Sequence, residues 1–286
     1  MVSSFEKMKH IFNLRSIFFL STWSKAGIKD VMKRKHIFTL GLLLFLVGCQ
    51  TPNVLSDMRF QTNPAPPYLI ASWHKITVPG ETLKIYIEGD GHAFDASGNP
   101  TDNPTPQSTF LREIAANDPA PNVVYLARPC QYVQAGQCTQ KDWTTGRFSK
   151  EVVNSTYQVV KSLKKKAKAP DVILIGYSGG AQLAGLVAVK NPSDIKGIIT
   201  IAGVLDHAAW TSYHKDKPLT DSDNLLAYRS VFKMIPQHHF AGGKDNVVPP
   251  KLIEDFVQDP ERVTVVPKAT HNSGYKAACQ EIYKTR

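Results

Sequence analysis

One short motif constrains the fold of this chain more than any other feature. Residues 171–190, "DVILIGYSGGAQLAGLVAVK", run from four consecutive apolar residues into the sequence GYSGG and then into a helical pattern of small residues. A continuous apolar run of this length is typical of a strand that is covered on both faces in a parallel sheet. The segment therefore predicts a buried strand that turns sharply at Ser178 into a helix.

The outer glycines of this motif have a steric reason. A serine in so tight a turn brings its backbone close to the neighbouring strand and helix, and side chains at Gly176 and Gly180 would collide with them. The turn projects the hydroxyl at the carboxyl edge of the sheet. It also directs the amide of Gly179 to the same point, beside a helix amino terminus. Gly-x-Ser-x-Gly in this context is typical of a nucleophile elbow.

Strand patterns alternate with helical patterns along most of the chain. Strands are predicted at residues 82–90, 122–130, 171–178, 195–203, 237–245 and 262–271. Helices are predicted at residues 148–167 with Ser149 as the cap, at 180–191, at 249–259 with proline at the start, and after Ser273. This alternation predicts an α/β fold, with a mostly parallel central sheet flanked by helices and right-handed crossovers.

Residues 204–235 interrupt the alternation. They follow the fourth predicted strand, where a small insertion can form a cap over a pocket. Its large apolar residues either line an apolar acyl site or form the core of the cap: Trp210, Tyr213, Leu225, Leu226, Tyr228 and Phe232.

A serine hydroxyl becomes a nucleophile when a base takes its proton, and the base needs a group that orients it. With this elbow, the acid follows a strand after the serine, and the histidine follows the last strand. Asp245 and His271 satisfy that order, so we predict Ser178, Asp245 and His271 as catalytic residues. The rival acid is Asp206, and the rival bases, all before the last strand, are His207, His214, His238 and His239.

The negative charge of a tetrahedral intermediate needs two amide donors. Gly179 supplies one, and the loop "YIEGDGHAF", residues 86–94, is expected to supply the other. Gly89 and Gly91 let the backbone of this loop approach closely. The predicted donor is the amide of Asp90 or Gly91. The Asp90 carboxylate would be unfavourable beside the oxyanion unless it is turned away.

The elbow, Asp245, His271 and the strand–helix alternation resemble the α/β-hydrolase superfamily over about residues 70–286. The segments "YIEGDG", "DNPTPQ" and "YLARPCQY", followed by a second cysteine and Trp143, are similar to a proteobacterial group of small α/β-hydrolase lipoproteins.

We therefore expect a serine hydrolase that cleaves a carboxylic ester or thioester through an acyl-enzyme. Its substrate would be a small-molecule or lipid-like ester, and the chemistry requires no cofactor or metal. Two alternatives stay open. The same three residues can cleave an amide, peptide or lactone, and a non-catalytic envelope lipoprotein that binds a ligand or partner can keep this fold.

The amino-terminal region carries the features of an export signal. From Met32 the chain reads "MKRKHIFTLGLLLFLVGC". Three basic residues precede an eleven-residue apolar run, residues 37–47, and Gly48 and Cys49 follow it. The run is too short to span a bilayer as a mature helix, and its end resembles the lipobox of bacterial lipoproteins. That resemblance implies removal of residues 1–48 and lipidation of Cys49. In the resembled class an Asp after the cysteine favours retention in the inner membrane, so Gln50 points to the outer membrane, facing the periplasm, if the cell is Gram-negative.

The resemblance also implies that the chain consists of a signal region, a tether and a folded domain. We expect translation to start at Met32, since residues 1–31 precede the signal pattern. Residues 49–70, with several prolines, would form the lipidated cysteine and an extended tether, and residues 71–286 the hydrolase domain.

The other cysteines and the net charge agree with export. Cys130 and Cys138 flank a glycine-containing loop that can close into a disulfide in an oxidising compartment, although pairing of Cys279 with either stays open. The formal net charge is +10, but residues 1–48 hold eight basic and two acidic residues. The remaining chain is only mildly basic, so the sequence does not favour a nucleic-acid partner.

Overall fold

The computed structural model describes residues 55–135 and 137–285. The predictions for residues 1–48, the start at Met32, Cys49 and Gln50 lie outside the described residues. Of the helices in the described ranges, not one is both long enough and apolar enough to cross a membrane.

A central sheet of eight strands organises the described chain. The strands lie in the order β1-β2-β4-β3-β5-β6-β7-β8, with β1 and β2 antiparallel to their neighbours and the other pairs parallel. The strands are β1 (Arg59–Ala65), β2 (Tyr68–Ile76), β3 (Leu83–Ile87), β4 (Asn122–Leu126), β5 (Val172–Tyr177), β6 (Ile195–Ile201), β7 (Gln237–Gly242) and β8 (Val263–Val266). The six predicted strands correspond to β3–β8, which confirms the mostly parallel sheet.

Helices flank this sheet. The helices are α1 (Phe110–Asn117), α2 (Lys150–Ala167), α3 (Gly179–Ala188), α4 (His207–His214), α5 (Arg229–Phe232), α6 (Pro250–Val257) and α7 (Lys276–Lys284). Four of these helices, α2, α3, α6 and α7, lie where the sequence predicts helices, whereas α1, α4 and α5 were not predicted. The Ser149 side chain accepts a hydrogen bond from the amide of Val152, at 3.3 Å, and so caps the second helix.

The sheet is buried on both faces, which explains the continuous apolar run before Ser178. In β5, Val172 and Leu174 belong to one apolar cluster, and Ile173 and Ile175 to the other. Helices α2, α3 and α6 contribute to the first cluster, whereas α1 and α7 contribute to the second. Successive side chains of a strand point to opposite faces, so apolar residues are favoured at every position when both faces are covered.

Residues 68–70 already belong to β2, and the prediction of an extended tether is also wrong for residues 59–65. This segment forms β1, which pairs with β2 along its whole length and places Pro64 opposite Leu69. The Asn63 side-chain amide also donates to the carbonyl of Ile70 and to the hydroxyl of Ser72. Proline is tolerated here because β1 is an edge strand with only one partner. The folded domain therefore begins before residue 71.

Residues 204–235 connect β6 to β7 and contain α4 and α5. Leu225 and Phe232 are fully buried against α3, where a Cβ on Gly185 would overlap the Leu225 side chain. These two side chains are therefore part of the core rather than of an acyl site. Covering of a pocket by this segment stays a prediction.

A disulfide joins Cys130 to Cys138, as predicted from their spacing. Cys279 lies in α7 as a free, partly buried thiol.

His239 in β7 is a buried histidine that should make the fold sensitive to acid. Its ring is buried, with Nδ1 2.8 Å from the hydroxyl of Thr200 and Nε2 3.0 Å from Oε1 of Gln237. Burial lowers the pKa of His239 to about 3, and the neighbouring His238 and Arg262 act in the same direction. The same ring titrates near 6.5 in an unfolded chain, so below that pH the unfolded state binds more protons.

Stability should therefore be fully present above about pH 6.5 and fall as the pH drops towards 3, by up to about 1.4 kcal/mol per pH unit from this ring. The variant His239→Gln should show a slope smaller by about that amount. Urea unfolding between neutral pH and pH ~4.5 measures both slopes. Identical slopes would contradict a neutral, buried His239.

Candidate active site

Ser178 occupies the turn between β5 and α3 in a strained conformation, with φ 51° and ψ −126°. Non-glycine residues rarely adopt such angles unless the surrounding structure enforces them. Three backbone hydrogen bonds do so. The Ser178 amide donates to the carbonyl of Ile201 at 3.1 Å, and its carbonyl accepts from the amides of Ala181 at 3.1 Å and Val204 at 3.0 Å. The end of β6 and the start of α3 thus fix the position of the serine.

The glycines around the serine have the steric role that the sequence predicted. A Cβ on Gly176 would lie 2.5 Å from the Cα of Ala181. A Cβ on Gly180 would lie 2.5 Å from the carbonyl oxygen of Glu88. Both contacts involve backbone atoms, which cannot move aside without displacing a strand or a helix.

Gly180→Ala should lower the free energy of unfolding by about 1–3 kcal/mol, because the added methyl group pushes α3 away from β3. Gly197→Ala is a matched control within β6, since its nearest atom would be the Pro236 carbonyl oxygen at an ordinary 3.5 Å. Urea unfolding of both variants gives the comparison. Equal destabilisation of the two would refute the steric explanation.

The structure brings together the three side chains predicted to act on substrate. His271 Nε2 lies 3.0 Å from Ser178 Oγ, and His271 Nδ1 lies 2.9 Å from Asp245 Oδ2. Ser178 follows β5, Asp245 follows β7 and His271 follows β8, so all three lie beyond the carboxyl ends of parallel strands. The sheet therefore places residues that are far apart in sequence at one edge.

The environment of Asp245 determines how the histidine is protonated. The Asp245 side chain is fully buried, and its Oδ1 accepts hydrogen bonds from the amides of Val247 at 2.8 Å and Val248 at 2.9 Å. Oδ2 is left to accept from Nδ1–H of His271. Nε2 then has a free lone pair towards the hydroxyl of Ser178, which is the arrangement a general base requires.

The rival acid and the rival histidines contact other groups and not the Ser178 hydroxyl. Asp206 caps α4 by accepting hydrogen bonds from the amides of Ala208 and Ala209. The rival histidines contact other groups: His207 stacks on Phe148, His214 bonds the carbonyl of Val247, His238 the hydroxyl of Thr264, and His239 that of Thr200.

The loop after β3 passes directly beside the elbow. A Cβ on Gly89 would lie 3.1 Å from the Cβ of Ser178, and a Cβ on Gly91, whose φ is +66°, would overlap the carbonyl oxygen of Pro104. The amide of Gly89 donates to the Glu88 carboxylate at 2.9 Å. Among residues 55–135 and 137–285, the amides of Asp90 and Gly91 have no hydrogen-bond acceptor. Neither predicted donor is therefore engaged by another described residue.

Two arginines that the sequence analysis missed bind the Asp90 side chain. Arg128 contacts Oδ1 and Arg147 contacts Oδ2, and each guanidinium side chain is only 5% exposed. Burial alone would raise the pKa of Asp90, but the guanidinium groups outweigh it and hold the pKa below its usual value. The available signal was an arginine just after a buried strand, at the edge where the serine lies.

Within residues 55–135 and 137–285, no group of three His, Cys, Asp or Glu side chains is arranged to hold a metal ion. The arrangement that the site does offer is a hydroxyl, an imidazole and a carboxylate joined by hydrogen bonds, with the loop that contains Gly89 packed against the serine.

No protein-family model and no curated protein sequence matches this chain. Solved structures do match it. The protein Est1E from Butyrivibrio proteoclasticus aligns with a TM-score of 0.58 and 12% identity, over 79% of this chain and 96% of Est1E. An esterase from Pyrococcus furiosus aligns with a TM-score of 0.55 and 15% identity, over 83% and 91% of the two chains.

An α/β serine hydrolase homologue from Coxiella burnetii aligns with a TM-score of 0.50 and 16% identity, over 79% of this chain and 94% of the homologue. At such low identity the likeness concerns architecture and not activity. Together with the strand order, it shows that this chain has the α/β-hydrolase fold.

Proposed function

We propose that the protein is a serine hydrolase that cleaves a carboxylic ester or thioester through an acyl-enzyme. The observation that carries this proposal is the hydrogen-bonded series Ser178–His271–Asp245 at a strained elbow. A series of this kind has a chemical use, because it makes a hydroxyl nucleophilic near neutral pH. The structural neighbours include an esterase and a serine hydrolase homologue, which favours this reaction class over a role limited to binding.

In the first half of the reaction, Ser178 Oγ attacks the carbonyl carbon of the substrate while His271 Nε2 takes the hydroxyl proton. Asp245 holds the tautomer and stabilises the imidazolium that forms. The tetrahedral intermediate then collapses, and the same proton passes from His271 to the leaving oxygen or sulfur. The products of this half are an alcohol or thiol and an acyl ester of Ser178.

In the second half, water takes the place of the alcohol. The water oxygen attacks the acyl carbon while His271 accepts a proton from that water. His271 then returns the proton to Ser178 Oγ. The carboxylic acid leaves, and the enzyme is restored. In both halves the negative charge of the intermediate lies near two groups of backbone amides that can donate to it. One is the amide of Gly179, the first residue of α3, and the other is the amides of Asp90 and Gly91.

A panel of nitrophenyl esters and acyl thioesters of increasing acyl length tests the reaction. We expect hydrolysis of at least one member and modification of Ser178 by a fluorophosphonate probe, located by peptide mass spectrometry. Including amide and lactone substrates in the panel identifies the bond that is cleaved. A protein that hydrolyses nothing and is not labelled at Ser178 would be a binding protein, and the proposal would be wrong.

A lipid anchor at Cys49 is the second part of the proposal. It is supported by the basic residues, the short apolar run and the Leu-Val-Gly-Cys sequence that ends it. Bacteria that express the full chain with an alkyne fatty acid should label the protein and hold it in the membrane fraction, and Cys49→Ala should abolish both. Membrane retention of the unlabelled variant would contradict lipid anchoring.

A further inference from the structure

We propose that Asp90, Arg128 and Arg147 form a charge cluster that positions the oxyanion loop, residues 88–94, against the nucleophile elbow. Asp90 is thus a positioning residue as well as a candidate amide donor. This inference rests on the proposed hydrolase function. It assigns a role to two buried arginines and a carboxylate that proton transfer does not use.

The Asp90 side chain connects the loop to the elbow. A Cβ on Gly179 would overlap Asp90 Oδ1 and would lie 3.1 Å from Arg128 Nη1, so both groups lie against the backbone of Gly179. Each carboxylate oxygen also binds one guanidinium, Oδ1 that of Arg128 and Oδ2 that of Arg147. Movement of the loop away from Ser178 would break these charge-assisted hydrogen bonds.

The two arginines are themselves held in place. Arg128 follows β4, donates from Nη2 to the carbonyl of Arg147 and lies 4.8 Å from the ring centroid of Phe148. Arg147 donates from Nε to the carbonyl of Thr144 at 2.7 Å and lies 5.4 Å from the ring centroid of Phe94. The contacts of Arg128 and the bond from Arg147 to Thr144 lie outside the loop, so the loop is tied to groups that do not move with it. The ring of Phe94 belongs to the loop itself and gives it one more contact with Arg147.

A second contact holds the loop one residue earlier. Gln131 donates from Nε2 to the carbonyl of Gly89 at 2.9 Å and accepts the Arg128 amide on Oε1 at 3.0 Å. Gln131 directly follows Cys130, which is disulfide-bonded to Cys138. The loop is thus restrained on both sides of the Asp90 amide, by a side-chain amide before it and by two guanidinium groups after it.

The net charge of the cluster explains how a carboxylate is tolerated beside an oxyanion. One carboxylate and two guanidinium groups carry a formal charge of +1, and the side chain of Asp90 is 24% exposed. An unpaired carboxylate would repel the negative charge that develops on the substrate oxygen. Pairing it with two cations leaves a positive site near the Gly179 amide, which favours that charge.

Asp90→Asn tests the inference, because asparagine keeps the size of the side chain and removes its charge. We expect kcat for the best ester to fall by about 10- to 100-fold, with KM within about 3-fold of wild type. Labelling of Ser178 by the fluorophosphonate should slow by a similar factor. Amide hydrogen exchange in a peptide covering residues 86–94 should become faster, because the loop loses its ion pairs.

Asp194→Asn is the matched control. Asp194 also pairs with a partly buried cation, Lys164, but it lies at the amino end of β6, at the opposite edge of the sheet. The Asp194→Asn variant should match wild type both in kcat and in the amide hydrogen exchange of residues 86–94. If Asp90→Asn does not fold, Arg147→Gln takes its place and should lower kcat by about 10-fold.

Three results would overturn the inference. One is a large rise in KM at unchanged kcat, which would make the cluster a substrate-recognition site. Another is wild-type kinetics in a folded Asp90→Asn protein. The third is unchanged exchange of residues 86–94, which can be measured even if no ester is hydrolysed. Absence of both hydrolysis and Ser178 labelling in the wild-type protein would instead count against the proposed function, so the two failures are distinguishable.

Discussion

Ser178→Ala should lower kcat by about 10⁵- to 10⁶-fold and leave the fold intact. The reason is that the variant loses the one atom able to form the acyl-enzyme. The backbone of residue 178 keeps its three hydrogen bonds, and alanine makes the same steric demand as serine at φ 51°. Within residues 55–135 and 137–285, the only side-chain bond lost is that between Oγ and Nε2 of His271.

Ester hydrolysis measured with enzyme well above the trace level, together with circular dichroism, checks this expectation. Ser72→Ala is a matched control, because Ser72 also bonds a histidine, with its Oγ 2.5 Å from Nε2 of His74. Ser72 is fully buried in β2 and cannot meet a substrate. Its kcat should stay within about 3-fold of wild type. A Ser178→Ala protein that keeps a tenth of the wild-type rate would remove the catalytic role of this serine.

Asp245→Asn should lower kcat by about 10⁴-fold, because it changes the tautomer of the histidine rather than its position. The side-chain oxygen of the introduced asparagine would accept from the amides of Val247 and Val248, as Oδ1 of Asp245 does now. Its NH₂ group would then face Nδ1 of His271 and donate to it. The ring proton would move to Nε2, which could no longer accept the proton of Ser178.

Asp206→Asn is the matched control for this variant, since Asp206 also follows a strand and was the rival acid. Its carboxylate caps α4, and asparagine is almost as good a cap, so kcat and stability should change little. Measurement of kcat, KM and thermal unfolding for both variants separates the two aspartates. Equal activity losses would show that proximity to the sheet edge, and not the bond to His271, is what matters.

The sheet itself was predictable where each strand carries its own signal. The apolar run before Ser178 predicted β5 because both of its faces are covered. β1 was missed because Pro64 and its neighbouring prolines indicate an extended linker when read alone. What makes residues 59–65 a strand is the partner β2, which supplies hydrogen bonds along one side. Edge strands depend on such pairing more than on local preference.

The candidate site likewise has residues that were predictable from the sequence and contacts that only the structure shows. Ser178 and its glycines were predictable because the turn has steric requirements that only a few residues satisfy. Asp245 and His271 were predictable from chain order, since parallel strands bring their carboxyl ends to one edge. Chain order alone does not exclude the rival Asp206, since both aspartates follow strands, and the coordinates exclude it because only Asp245 reaches the histidine.

Local sequence patterns predicted the strand–turn–helix unit around Ser178, the alternation that builds the parallel sheet, and the order of the three residues at its edge. These depend on local chemistry, namely apolar periodicity, glycine sterics and helix capping. Tertiary structure alone decided the edge strand β1 and the meeting of Asp90, Arg128 and Arg147. Such contacts join segments far apart in the chain, and no local pattern encodes which buried charges will pair once the core has packed.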